Sequence, residues 1–277
     1  MENLSPAEQY LQDAHRRLPG VTSAMFGALP ARTRHAQYAS SYALLTSCVP
    51  TAATAQTVLD LACGDGYLLK LLAERRRSPL RLIGVDMSQS ELDAASAALP
   101  GDVTLLNERA QTLSLGTGSV DVVISHMALM LMRDIEQVLS EIRRVLRPRG
   151  RLAAIVGRSF LQGEVREIFM EVFRPIAREH LSHLPFGDRR TSTEDGWIEL
   201  LGREFQNIEF EDVEIEWAPS PDELWNSLLG TYDIDRMAEA PRERLRAALL
   251  QRLSRLQQSD GTIRAGWGLR LITAQAA

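Results

Sequence analysis

Between residues 57 and 157, short apolar runs alternate with stretches of helical period. No other feature of this chain constrains its fold as strongly. Runs at 57–62, 81–86, 103–107, 120–125 and 151–156 are predicted as strands. Helices are predicted over 67–74, through residue 98 from an N-cap at Ser88, and over 135–146, the last stopped by Pro148 and Gly150. Strands that alternate with helices make βαβ units, and those units make a parallel sheet with helices on both faces. After Gly157 the pattern shifts to helical stretches at 160–183 and 193–205 and an alternating strand at 208–217. A helical stretch opened by Pro219 and Pro221 then runs to about 258, and a last strand covers 266–273. The expectation is an α/β fold: a doubly wound, mostly parallel sheet of seven strands with helical cap insertions.

One domain, 1–277, is expected. Residues 1–43, polar and broken by Pro19, Gly20 and Pro30, form a helical cover. A cofactor-binding core spans 44–158, cap insertions span 159–191 and 219–260, and 192–218 with 261–277 complete the core. Within the second insertion Leu245, Leu249, Leu253 and Leu256 form a stripe opposite Arg242, Arg246, Arg252 and Arg255. Such a stripe fits packing on its own domain or a dimer contact, so monomer and homodimer both stand.

Composition narrows the classes. With 45% hydrophobic and 24% charged residues the chain can bury a core, which excludes disorder. The longest apolar stretch, 120–132, is short of a membrane span and contains Asp121 and His126. A net charge of -5 argues against a nucleic-acid binder, which must neutralise phosphates. The two cysteines, Cys48 and Cys63, build neither a disulfide framework nor a cysteine-rich metal site. With no basic-then-apolar segment at the N-terminus, a reducing cytoplasm is the expected compartment. Lys70 is the only lysine, which leaves no other for a Schiff base or a phosphate loop.

The sharpest local signal is the segment VLDLACGDGY, 58–67. A strand running into a glycine turn and then a helix lets a ligand touch backbone at the carboxyl edge of a parallel sheet. Twenty residues past Gly66, Asp86 ends the next strand, where a carboxylate can hold a ribose diol. A dinucleotide fingerprint would need a third glycine where Leu69 stands. Asp60 ahead of the loop suits a ligand carrying positive charge, such as S-adenosylmethionine with its ammonium and sulfonium.

At these positions the chain resembles the class I S-adenosylmethionine-dependent methyltransferases of small molecules, which have a Rossmann-like fold. VLDLACGDG and GVDMS correspond to the first two motifs, and SVDVVISHMALMLM and EIRRVLRPRGRLAAIVG to later ones, in family order over 57–157. The resemblance implies that Gly64 and Gly66 lie against the methionine moiety, with Asp60 and the Ala62 carbonyl near its amino group. Asp86 would hold the ribose hydroxyls, and Met87 would pack on the adenine. The usual acid and small residue of the third motif are here Arg109 and Ala110, with Glu108 one position earlier, so the backbone N–H of Ala110 becomes the expected adenine contact. Ser125, His126 and Met127 would border the sulfonium, and Tyr38 the cofactor's carboxylate. S-adenosylhomocysteine would be the product.

Methyl transfer needs a general base only when the attacked atom must lose a proton, and His126 is the candidate base. His180 and His183 share a helical face at i, i+3 and are read as a surface pair; no metal site is expected. Cys63 reads as a packing residue, and at least two of Met127, Met130 and Met132 as core. The residues Ser125-His126-Met127-Ala128 replace the Asn/Asp-Pro-Pro-aromatic motif of base methylators, which argues against a base flipper. Phe26, Tyr42, Trp197, Trp225 and Tyr232 either line an acceptor pocket or pack in the core. The expected function is methyl transfer to O, N or C of a small metabolite in a biosynthetic pathway. The alternative is a cofactor-binding regulatory or accessory protein without transferase activity.

Overall fold

The computed structural model describes residues 4–75 and 79–277. The first helix, α1 (Pro6–Arg17), starts with a capping box. Ser5 Oγ accepts the Glu8 N–H (3.3 Å), the Glu8 carboxylate accepts the Ser5 N–H (2.8 Å), and Pro6 occupies the first turn, where no N–H is required. Next come α2 (Val21–Phe26), the two-residue strands β1 (Ala31–Arg32) and β2 (Gln37–Tyr38), and α3 (Ser41–Ser47). Strands β1 and β2 pair antiparallel, with Ala31 opposite Tyr38. Only helices were expected in this region, because two residues are too few to show a strand period.

The core follows as β3 (Gln56–Leu61), α4 (Tyr67–Ala73), β4 (Leu80–Asp86), α5 (Gln89–Ala98), β5 (Thr104–Asn107), β6 (Val120–His126), α6 (Ile135–Val145) and β7 (Leu146–Ser159). The pairs β3–β4, β4–β5, β3–β6 and β6–β7 are all parallel. In β7 the strand starts five residues earlier than expected. A register irregularity between Val120 and Val122 takes up Pro148 and Gly150.

The remaining elements are α7 (Gly163–His180), α8 (Glu194–Leu201), β8 (Phe205–Trp217), α9 (Pro221–Leu228), α10 (Tyr232–Asp235), α11 (Glu239–Leu253) and β9 (Ala265–Ala276). The sheet runs β2-β1-β8-β9-β7-β6-β3-β4-β5. Its nine strands, among the described residues, exceed the expected seven by β1 and β2. The helix expected over 160–183 ends at His180, so His183 lies beyond it and the shared histidine face is lost. The helix expected over 221–258 is three helices, interrupted at Gly230 and again at Met237–Ala238.

By contacts the chain divides into two compact units. One comprises Met1–Arg158, Phe186–Val213 and Leu269–Ala277; the other comprises Ser159–Pro185 and Glu214–Gly268. In the second, α7 packs against α11, whose Leu245, Leu249 and Leu253 are fully buried. In the first, α6 turns Ile135, Val138, Leu139, Ile142 and Val145 inward at helical spacing. They meet Leu59, Leu61 and Val123 of the sheet and Trp197, Leu200 and Leu201 of α8 in one apolar cluster. Each such side chain contributes about 1.5–3 kcal/mol by leaving water. Thr193 caps α8 through a bond from the Gly196 N–H (3.1 Å), and the Trp197 indole donates to the Thr191 carbonyl (2.9 Å). Among the described residues no helix is long and apolar enough to cross a membrane.

Candidate cofactor site at the carboxyl edge of the sheet

The site grows from the ends of three neighbouring strands. After β3 the chain turns through Ala62 (φ 59°), Gly64 (φ 52°) and Gly66 (φ 76°). Ala62 takes a left-handed conformation that costs a side-chain-bearing residue roughly 1–2 kcal/mol. At the end of β6, Met127 does the same (φ 57°) while its N–H bonds the Ile155 carbonyl (2.7 Å). Two strained residues at adjacent strand ends mark a place where backbone geometry serves something other than stability. Gly66 is required on packing grounds too, because a Cβ there would lie 2.7 Å from Leu99 Cδ1 and 3.0 Å from Ala95 Cβ. Gly84 makes room for Leu69, which stands where the dinucleotide fingerprint has its third glycine; a Cβ on Gly84 would meet Leu69 Cδ1 at 2.8 Å.

Asp86, partly buried at the end of β4, fixes this turn. Its carboxylate accepts the Gly64 N–H (2.9 Å) and the Ser88 N–H (2.8 Å). Burial raises its pKa, and those two N–H groups oppose the rise. Met87 follows, half-buried. Asp60 on β3 is 1% exposed and its Oδ2 has no hydrogen-bond partner among the described residues. Burial, then the charges of Asp86 and Asp65, push its carboxyl well above the usual range. Cys63 is buried too, and burial pushes its thiol up, which fits a packing role.

Ser125 and His126 end β6 with distinct roles. Ser125, fully buried, donates to the Leu61 carbonyl (2.8 Å) and ties β6 to β3. His126 stacks on Tyr42 with ring centroids 3.8 Å apart and planes 18° apart, and Phe26 presents an edge contact at 6.0 Å. Its Nε2 lies 2.9 Å from Ser41 Oγ, and burial pushes its pKa down to about 3. Burial thus favours the neutral form of the residue expected as a general base. Tyr42 also contacts Tyr67 edge-on (5.0 Å), and the Tyr67 hydroxyl donates to the Gly27 carbonyl (3.2 Å).

The N-terminal segment is bound to the same edge by polar links that the sequence reading did not anticipate. His15 Nδ1 lies 2.7 Å from Glu91 Oε1, and Glu91 Oε2 accepts the Gly20 N–H (2.9 Å). Ser23 Oγ donates to Asp65 (2.5 Å). Burial lowers the His15 pKa, but the Glu91 hydrogen bond and the charges of Glu91 and Asp86 outweigh it, and the net shift is upward. Arg109, which stands where the resemblance leads one to expect an acid, forms an ion pair with Glu8 of α1. Glu108 instead accepts the Ser114 N–H (3.0 Å), and Ala110 lies in the turn closed by Thr112 N–H to the Arg109 carbonyl (3.0 Å). Tyr38, on β2 opposite Ala31, is not part of these links; Tyr42, four residues on, is the tyrosine in contact with His126. Glu91 carried a sequence signal, since helical spacing sets it inward with Leu92 and Ala95. Ser41 carried none beyond following the N-cap Ser40.

The strand order, the glycine turn after β3 and the acid closing β4 thus meet at one edge of the sheet. Residues 59–154 match the family described as a methyltransferase domain. An uncharacterised methyltransferase of Mycobacterium bovis is 39% identical over 117 residues, covering 42% of this chain and 46% of that protein. A demethylmenaquinone methyltransferase of Lactococcus lactis is 36% identical over 106 residues, covering 37% and 42%. The chain thus spans less than half the length of these curated relatives. Over a longer stretch the fold is similar to that of a putative type II methyltransferase of Anaeromyxobacter dehalogenans, with a TM-score of 0.62, 24% identity, and coverage of 88% of this chain and 97% of that one. Residues 59–154 of this chain are thus similar in sequence to a methyltransferase domain, and the fold that carries them is similar to that of a solved methyltransferase.

Proposed function

We propose that the chain moves the methyl group of S-adenosylmethionine to O, N or C of a small metabolite in a biosynthetic pathway. The observation that carries this reading is Asp60. A fully buried carboxylate oxygen without a partner costs about 1–3 kcal/mol or more, and an ammonium is the group that would compensate it. Asp86, already oriented by the Gly64 and Ser88 N–H groups, has the place and charge to accept from a ribose diol, with Gly64 and Gly66 allowing close backbone approach. Arg109 and Ala110 border the adenine in this reading, Met87 packs on it, and Ser125 and Met127 border the sulfonium.

Bound S-adenosylmethionine supplies a methyl group on a sulfonium that leaves without an acid. The protein's task is then to hold an acceptor in line with that methyl and to exclude water, which can supply most of the acceleration. His126, neutral and enclosed by Tyr42 and Phe26, fits a positioning role at this edge better than proton abstraction. Residues 159–191 and 219–260, outside the cofactor-binding core, are proposed to select the acceptor.

Calorimetric titration with S-adenosylhomocysteine and with NAD tests the reading. Saturable one-to-one binding of the first and no binding of the second is expected. NAD binding without S-adenosylhomocysteine binding would overturn it. Cofactor binding with no methyl transfer to any of a broad panel of small acceptors would point to the accessory protein.

A further inference from the structure

Asp60 Oδ2 and His126 Nδ1, like Ser88 Oγ beyond the end of β4, are buried polar atoms at this edge with no partner among the described residues. The strand register relates them. Asp60 pairs with Ile124 across β3 and β6, and side chains two apart on a strand share a face, so Asp60, Ile124 and His126 project from the same face of the sheet. Tyr42 stacks on the His126 ring.

The hydrogen-bond sense of the histidine follows from Ser41. Ser41 is fully buried, and His126 Nε2 is its hydroxyl's partner. If Nε2 carried the proton, the serine's own hydrogen and the Nδ1 lone pair would both be left unmet. With the serine donating to Nε2, only the Nδ1–H remains. Ser41 thereby holds His126 in the Nδ1–H tautomer, with its one basic lone pair already taken. Burial keeps the ring neutral, in agreement with this assignment. One face of the sheet thus offers, on neighbouring strands, a carboxylate that lacks a donor and an N–H that lacks an acceptor. That pair complements an α-amino acid zwitterion.

We propose that His126 donates its Nδ1–H to the α-carboxylate of the cofactor's methionine moiety, while Asp60 Oδ2 takes the α-ammonium. The inference rests on the methyltransferase reading and changes His126 from candidate base to binding residue. Ser41 is then a positioning residue that acts through the imidazole.

The experiment compares two probes by calorimetry: S-adenosylhomocysteine, and its analogue with hydrogen in place of the α-carboxylate. His126→Ala should cut the protein's preference for the first probe over the second by about tenfold or more, the range for a hydrogen bond to a charged group. Affinity for the decarboxylated analogue should stay within about twofold, which also reports an intact fold. His126→Asn, whose amide nitrogen can stand where Nδ1 stands, should retain most of the preference. If the alanine variant does not fold, His126→Leu fills the volume without the donor and is read in the same way. Equal weakening of both probes, or a preference unchanged from the unsubstituted protein, overturns the proposal. Failure of the unsubstituted protein to bind either probe overturns the methyltransferase reading with it.

Discussion

Two buried regions of the first unit are built on opposite principles. Beneath α6 and α8, the side chains are leucine, isoleucine, valine and tryptophan, and the indole N–H of Trp197 is satisfied by the Thr191 carbonyl. At the carboxyl edge of β3, β4 and β6, the buried side chains include Asp60, Glu91, Ser41, Ser125 and His126, the non-glycine residues Ala62 and Met127 sit in the left-handed region, and Asp60 Oδ2, Ser88 Oγ and His126 Nδ1 lack partners among the described residues. The first arrangement stabilises the fold and asks for nothing more. The second leaves polar groups unmet, and in the proposed reading a bound zwitterion would complete Asp60 and His126. Where a fold leaves polar atoms unpaired says more about its ligand than where it packs well.

The contrast can be broken by substitution. In the apolar region Leu139→Ala should have the largest effect, lowering unfolding free energy by about 2–5 kcal/mol in urea titration, while the folded fraction binds S-adenosylhomocysteine as before. Lost affinity in that fraction would mean that the two regions are coupled. At the polar edge, Asp86→Ala should weaken S-adenosylhomocysteine binding about tenfold or more; unchanged affinity would remove the ribose role. The N-terminal links should matter least. Because the folded pKa of His15 is raised, its pairing with Glu91 contributes fully below the unfolded value near 6.5 and is lost as pH rises through the folded value. Stability should therefore decline over that window by at most about 1 kcal/mol, as expected for a partly exposed pair. His15→Ala should flatten this decline in a pH series of melting curves, and a decline that persists in the variant would assign it to another group.

Much of this was legible in the chain. The five parallel core strands were, because buried strands read as apolar runs and their glycine and proline punctuation is local. The first motif was legible because Asp60, Gly64, Gly66 and Asp86 lie in one short βαβ segment. What could not be read depends on contacts far apart in sequence. Glu8 meets Arg109 across 101 positions, Ser41 meets His126 across 85, and His15 meets Glu91 across 76. No spacing rule reaches that far. The surroundings of His126 were illegible for a related reason: a histidine's basicity depends on what covers it, and Tyr42, Phe26 and Ser41 all come from the N-terminal segment. Strands β1 and β2 were missed because two residues carry no period.

Asp60→Asn, measured for both stability and affinity, tests the account most directly. The folded pKa of Asp60 is raised, so unfolding releases a proton and stability falls as pH climbs from the unfolded value near 3.8 toward the folded one. Replacing the ionisable carboxyl with a neutral amide should therefore stabilise the ligand-free protein at pH 7, by about 1 kcal/mol or more, while S-adenosylhomocysteine affinity drops about tenfold or more. Opposite movements are the predicted result. A variant that is less stable, or one that binds the cofactor as tightly as before, would contradict the claim that this carboxylate is buried for a ligand's ammonium.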